Sequence, residues 1–403
     1  MKTRVQDHAR FGGTPLFDAD LPVGRPNIGD RTRLIARFNE VLDRRWLTND
    51  GPAVREFEGA VAAFVGVPHC IAVSNATVAL ELAIRALGLT GEVIVPSFTF
   101  VATAHALSWL GITPVFCDID SETHNISPEH AEHLITQRTT GIIGVHLWGH
   151  ACDVAALQTL AKKRGLKLLF DAAHALGCTY DGVMIGGFGD AEVLSFHATK
   201  IVNSFEGGAI LTRDADLARR VRLMRNFGFS GYDMVECVGT NGKMSEASAV
   251  MGLTSLESYD HFVEVNRGHY ERYRDELRGI PGLRVMRYGP EQANYHYVVI
   301  EVDENEAGIS RDQLQEVLWA ERVLARRYFY PGCHQMEPYR RAAAAATRLP
   351  ETERVCQRVM TLPTGTSITA EGIRLVSSLL RFVIGNAAAI RRSWPGSPPD
   401  DRP

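Results

Sequence analysis

Lys200 lies just past an apolar, strand-like run, Ala191 to Phe196, in the stretch Ser195-Phe196-His197-Ala198-Thr199-Lys200, and shortly before the turn Glu206-Gly207-Gly208. A second apolar run, Leu168-Leu169-Phe170, ends in Asp171 and continues as Ala172-Ala173-His174. A lysine amine can form a Schiff base with a carbonyl cofactor. An aspartate can keep a pyridinium nitrogen protonated, which makes pyridoxal phosphate an electron sink. Taken singly, such a lysine is most often a solvated charge and a strand-end aspartate a turn residue. Paired at successive strand ends, they suggest one site.

The elements that must position this pair follow from the hydrophobic pattern. Short apolar strands are predicted at His69–Val73, Glu92–Val95, Thr113–Asp118, Gly141–Val145, Leu166–Phe170, Ala191–Phe196 and Ala209–Thr212. Helices are predicted at Arg31–Arg44, Arg55–Val65, Val78–Leu87, up to Trp109, Pro128–Ile135, Cys152–Arg164 and Asp214–Asn226. This alternation argues for a mostly parallel α/β sheet flanked by helices. Ligands of such sheets bind beyond the carboxyl ends of the strands. The turn Asn75-Ala76-Thr77, Phe100, His146, Asp171 and Ser195 to Lys200 all fall at that edge. The turn before a helix reads either as an anion site or as an ordinary N-cap. Residues 1–30 read as irregular, and residues 1–255 as one large domain.

Beyond Ser255 the texture changes to a smaller α+β domain, 256–390. It has helices at Tyr259–Arg278, Arg311–Glu321 and Glu371–Asn386, and strands at Gly282–Val285 and Tyr295–Val302. Ala342–Ala346 reads as a surface helix or loop, and residues 391–403 as a disordered tail.

The 403 residues are 45% hydrophobic and 22% charged, with a net charge of −4 and no long basic run. That suits a soluble globular protein and gives no electrostatic case for nucleic acid. Seven cysteines without a CxxC pair read as reduced thiols. No apolar run reaches membrane-spanning length and the start lacks a secretory pattern, so the expected location is cytoplasmic. His146 and His150 are four apart but lack the glutamate of a zinc motif, and no metal is expected.

These stretches resemble the PLP-dependent sugar-nucleotide aminotransferases of the DegT/DnrJ/StrS type. The likeness covers about residues 30 to 385. It rests on Ser195 to Lys200 with Glu206-Gly207-Gly208, on Asp171 to Gly177, on Pro96-Ser97-Phe98-Thr99-Phe100, and on Asn241-Gly242-Lys243-Met244-Ser245-Glu246. It implies the aspartate aminotransferase fold. It also implies Lys200 as the Schiff-base lysine and proton shuttle, and Asp171 on the pyridinium nitrogen. His174, where many relatives have glutamine, stands near the ring hydroxyl, and Phe100 stacks on the ring. Ala76, Thr77 and Ser195 hold the phosphate, with Asn241 reaching it from the second subunit of a homodimer. Lys243 stands where many relatives have arginine. Lys243, Tyr330 and His334 are implied on the sugar-nucleotide side. Val145 to Gly149 and Asn241 to Glu246 look like those of antibiotic deoxysugar enzymes that aminate C4 of dTDP-4-keto-6-deoxyglucose from glutamate. Amination at C3, a dehydratase and a non-catalytic PLP-binding regulator are the alternatives. The dehydratases of this family carry histidine in place of the lysine.

Overall fold

The structure is a computed structural model that describes residues 2–341 and 348–394. Seven strands form the central sheet: β1 (His69–Val73), β2 (Glu92–Pro96), β3 (Thr113–Cys117), β4 (Thr139–Val145), β5 (Lys167–Asp171), β6 (Ala191–Ser195) and β7 (Gly208–Thr212). Their spatial order is β1-β7-β6-β5-β4-β2-β3. Only β7 runs antiparallel to its neighbours.

Successive residues of these strands point to opposite faces, and both faces are covered. On one side Ile71, Val73, Val95, Leu169 and Val193 pack on helices Ala76–Ala86, Ala102–Trp109 and Ala215–Arg225. On the other, Ala72, Leu194 and Leu211 meet the helix Pro52–Val65, while Ile94, Ile142 and Phe170 meet Val154–Arg164. Two-sided burial is why the strands read as continuous apolar runs. Each large side chain so buried contributes about 1.5–3 kcal/mol.

A helix at Glu246–Glu257 has no counterpart among the predicted elements. Its first residue, Glu246, is fully buried and accepts from the amides of Ala53 (3.0 Å) and Val54 (2.9 Å). A carboxylate there meets the free N–H groups and positive end of helix Pro52–Val65. Within the Asn241–Glu246 motif, therefore, Glu246 serves the fold.

The smaller antiparallel sheet is β8 (Leu283–Val285), β9 (Val298–Val302) and β10 (Val359–Leu362), in that order. Helices Tyr259–Glu276, Arg311–Ala320 and Ala370–Gly385 complete its core. The strand predicted from Tyr295 starts only at Val298, because Tyr295 adopts a left-handed φ of 50° that an extended strand cannot contain.

The N-terminal segment differs from its predicted grouping. Val5 belongs to the C-terminal core, with Phe11, Leu16 and Phe17 packed on it. Leu21–Pro22 pair in parallel with Val323–Leu324. The expected tail also begins later than residue 391: Ala387–Arg392 are helical, and Trp394 meets Phe11 edge-on at 5.9 Å. Ala342–Ala346 and residues 395–403 lie outside the described residues. Among the described residues no helix is long and apolar enough to cross a membrane, and no group of three metal-ligating side chains occurs.

Candidate active site

A cavity of about 250 Å³ opens at the carboxyl edge of the sheet. Asp171 ends β5, Ser195 ends β6, and the helix Ala76–Ala86 starts where β1 has turned back. Ala76, Thr77, Phe100, Asp171, His174, Ser195 and Lys200 all line this space. Seven of the residues singled out in the sequence thus converge, because strands of one direction deliver their ends to one edge.

The turn before Ala76–Ala86 both caps the helix and presents free amides. Asn75 caps the helix through its side chain, which accepts from Val78 N at 2.9 Å. The amides of Ala76 and Thr77 sit in the first turn, where a helix has no internal acceptors for them. Gly208 presses against this turn: a Cβ there would lie 2.7 Å from Ala76 N and from the Asn75 carbonyl carbon. The second glycine of Glu206-Gly207-Gly208 is therefore required by backbone-to-backbone contact.

Asp171 is buried and held at both oxygens. Thr103 Oγ1 donates to Oδ2 at 2.9 Å, and the Ala173 amide donates to Oδ1 at 3.1 Å. Burial pushes its carboxyl above the ordinary range despite these donors. A carboxylate in that position calls for a cationic partner. Lys200 Nζ is 3.4 Å from Tyr297 Oη, and burial pushes the amine from 10.5 down to about 8, against the pull of Asp171. His174 accepts from the Trp148 amide at Nδ1 (3.3 Å), and burial pushes its pKa well down. The neutral ring therefore carries its proton on Nε2.

The other named residues lie elsewhere. His146 is buried under the edge, with Nε2 3.2 Å from Glu192 and its ring stacked on Phe170. Asn241 is exposed and does not line the cavity. Lys243 borders a separate cavity of about 360 Å³ with Arg219, Arg222 and Arg225, its Nζ 4.5 Å from the Phe227 ring centroid. Tyr330 stands against the guanidinium groups of Arg311 and Arg327. His334, implied on the substrate side, packs behind the cavity wall. It is buried, with Nδ1 2.6 Å from Ser97 Oγ and Nε2 3.5 Å from Glu353, outside the cavity lining.

Tyr297, Tyr328 and Phe329 line the cavity and Thr103 orients Asp171, yet none was singled out in the sequence. Tyr297 precedes β9 and only packing reveals it. Tyr328 and Phe329 adjoin Tyr330, and the sequence does not tell which aromatics of this segment turn inward.

The donor set fits pyridoxal phosphate: a helix start for a phosphate, a buried acid lacking a full counter-charge for a pyridinium, and a desolvated lysine for an aldehyde. An α/β sheet carrying this arrangement at its carboxyl edge defines a PLP-type transferase. The chain belongs to the DegT/DnrJ/EryC1/StrS aminotransferase family, which matches residues 29–381. It is an aminotransferase, dependent on pyridoxal phosphate. It is 35% identical over 371 residues to the Escherichia coli dTDP-4-amino-4,6-dideoxy-D-glucose transaminase, covering 90% of this chain and 98% of that one. Among solved structures it is similar to DesI, crystallised in the presence of its TDP-sugar product. That likeness has a TM-score of 0.93 at 50% identity and covers 96% of this chain and all of that one. Helicobacter pylori PseC, an aminotransferase of pseudoaminic acid biosynthesis, matches with a TM-score of 0.85 at 26% identity, over 91% and 100% of the two chains.

The lowered Lys200 pKa gives a pH expectation. Only the neutral amine attacks an aldehyde, so capture of pyridoxal phosphate by cofactor-free protein should rise about tenfold per pH unit and level off near pH 8. A capture rate that keeps climbing to pH 10 would show an ordinary, solvated lysine.

Proposed function

We propose that the enzyme moves the amino group of glutamate to C4 of dTDP-4-keto-6-deoxyglucose, giving dTDP-4-amino-4,6-dideoxyglucose. The observation that carries the transfer chemistry is Lys200 and Asp171 lining one cavity at the sheet's carboxyl edge. The nucleotide sugar is supported by the Escherichia coli transaminase, named for dTDP-4-amino-4,6-dideoxy-D-glucose, and by DesI, crystallised with its TDP-sugar product.

Bound pyridoxal phosphate supplies an aldehyde that takes up the amine and a ring that accepts the electron pair released when a neighbouring C–H bond breaks. Lys200 holds the cofactor covalently between turnovers and, once freed, carries the proton to and from the reacting carbon. Asp171 keeps the ring nitrogen protonated, oriented by Thr103 and Ala173. The Ala76 and Thr77 amides with the Ser195 hydroxyl take the phosphate. His174 offers Nε2–H to the ring hydroxyl, and Phe100 covers the ring.

The active unit in this reading is a homodimer. Phe227, Phe229, Tyr232, Met234 and Val238 are exposed around the hairpin that precedes Asn241. An apolar surface of this kind needs a cover, and a second copy supplies one. Asn241 then reaches the partner's cofactor phosphate and Lys243 the partner's nucleotide, while Tyr330 stays with its own subunit's substrate. Mixing Lys200→Ala with Asn241→Ala protein should restore part of the activity, because one site of each mixed dimer keeps both residues. Failure of complementation between subunits shown to exchange would exclude shared sites.

Regiochemistry is tested by kcat/KM for the 4-keto and 3-keto sugar nucleotides with glutamate as donor. That ratio reports discrimination in the transition state, whereas uniform nucleotide binding affects both alike. A preference for the 4-keto isomer of about 100-fold is expected. The reverse preference would overturn C4 amination and leave the aminotransferase intact.

A further inference from the structure

A second chamber of about 220 Å³ adjoins the Lys200 cavity, and Thr199, Tyr297 and Tyr328 line both. Gly24, Arg25, His296 and Arg326, the two arginines exposed to solvent, line it as well. The parallel pairing Leu21↔Val323 and Pro22↔Leu324 explains why. Arg25 and Arg326 leave that short pair at the same, carboxyl end, so the N-terminal segment and the small domain bring two guanidinium groups to one place.

No aspartate or glutamate lines this chamber. Among the described residues Arg326 makes no ion pair; its guanidinium carbon lies 5.4 Å from the Tyr328 ring centroid. Arg25 donates to the Asp20 carbonyl at 2.9 Å, which leaves its charge unneutralised. Burial and the neighbouring Lys200 charge push His296 down to about 3, so it adds no charge at neutral pH. Two arginines without a carboxylate, in a chamber that adjoins the Lys200 cavity, make an oxyanion the complementary occupant.

We propose that this chamber is an anion subsite in which Arg326, assisted by Arg25, holds the acidic end of a compound whose reacting end lies at Lys200. The inference rests on the aminotransferase reading and extends it to how the substrate is anchored. Both reactants offer such an end: the donor a carboxylate, the sugar nucleotide a diphosphate. What they share is an oxyanion gripped by a guanidinium fork.

The test is calorimetric titration of the PLP-loaded enzyme and of its Arg326→Gln variant with two unreactive probes, glutarate and inorganic pyrophosphate. The variant should lose about tenfold or more in affinity for at least one probe. Loss for glutarate alone identifies the donor, for pyrophosphate alone the nucleotide, and for both a subsite used in turn. Arg326→Lys, which keeps the charge, should lose less, and Arg25→Gln should shift the same probe in the same direction. Affinities within twofold of wild type for both probes in Arg326→Gln and Arg25→Gln overturn the subsite. Wild-type enzyme that binds the probes yet takes no amine from glutamate would overturn glutamate as the donor and leave the subsite standing.

Discussion

Lys200→Ala is expected to lower transamination by about 10⁴-fold or more, while pyridoxal phosphate still binds without a covalent link. Two roles vanish together: the amine that holds the cofactor and the base that moves the proton, the latter alone contributing up to about 10⁴-fold. Binding should survive because the helix start at Ala76, Asp171 and the aromatic walls are untouched. The fold should survive as well, since the lowered pKa shows that burial works against the Lys200 charge. Single-turnover kinetics and dialysis read the two effects separately. Retained turnover would place the chemistry on another residue.

Asp171→Asn is the second large effect, a loss of roughly 10²–10³-fold in turnover, of the order seen when one electrostatic stabiliser is removed from a site. Thr103 and the Ala173 amide both donate to the carboxylate. An asparagine can satisfy only one of them with its carbonyl oxygen, and its amide cannot keep a ring nitrogen protonated. The variant should fold, because it removes a buried charge rather than creating one. Turnover close to wild type, measured with glutamate and the keto sugar, would remove Asp171 from the site.

The strand ends are legible because parallel strands buried on both faces are short apolar runs, and the short polar stretch after each marks the ligand edge. That logic reaches Thr77, Asp171, Ser195 and Lys200, which line one cavity. It does not reach Tyr297 or Phe329, contributed by the C-terminal part through packing that no local pattern records. His334 shows the converse: a polar residue in a suggestive segment, turned inward to Ser97 and Glu353. The helix Glu246–Glu257 escaped because its stripe is weak, eight of its twelve residues being buried, so no polar face stands out. The N-terminal segment looked unattached because its partner, Val323–Leu324, lies 302 positions away in register.

The central claim is that Lys200 carries the cofactor of an aminotransferase, and borohydride reduction tests it most directly. Reduced holoenzyme, digested and mapped by mass spectrometry, should carry the phosphopyridoxyl group on the peptide containing Lys200 and on no other. Brief treatment with glutamate before reduction should abolish that label, because the amine then releases the lysine. A label on a different lysine, or one that glutamate leaves untouched, would contradict the account.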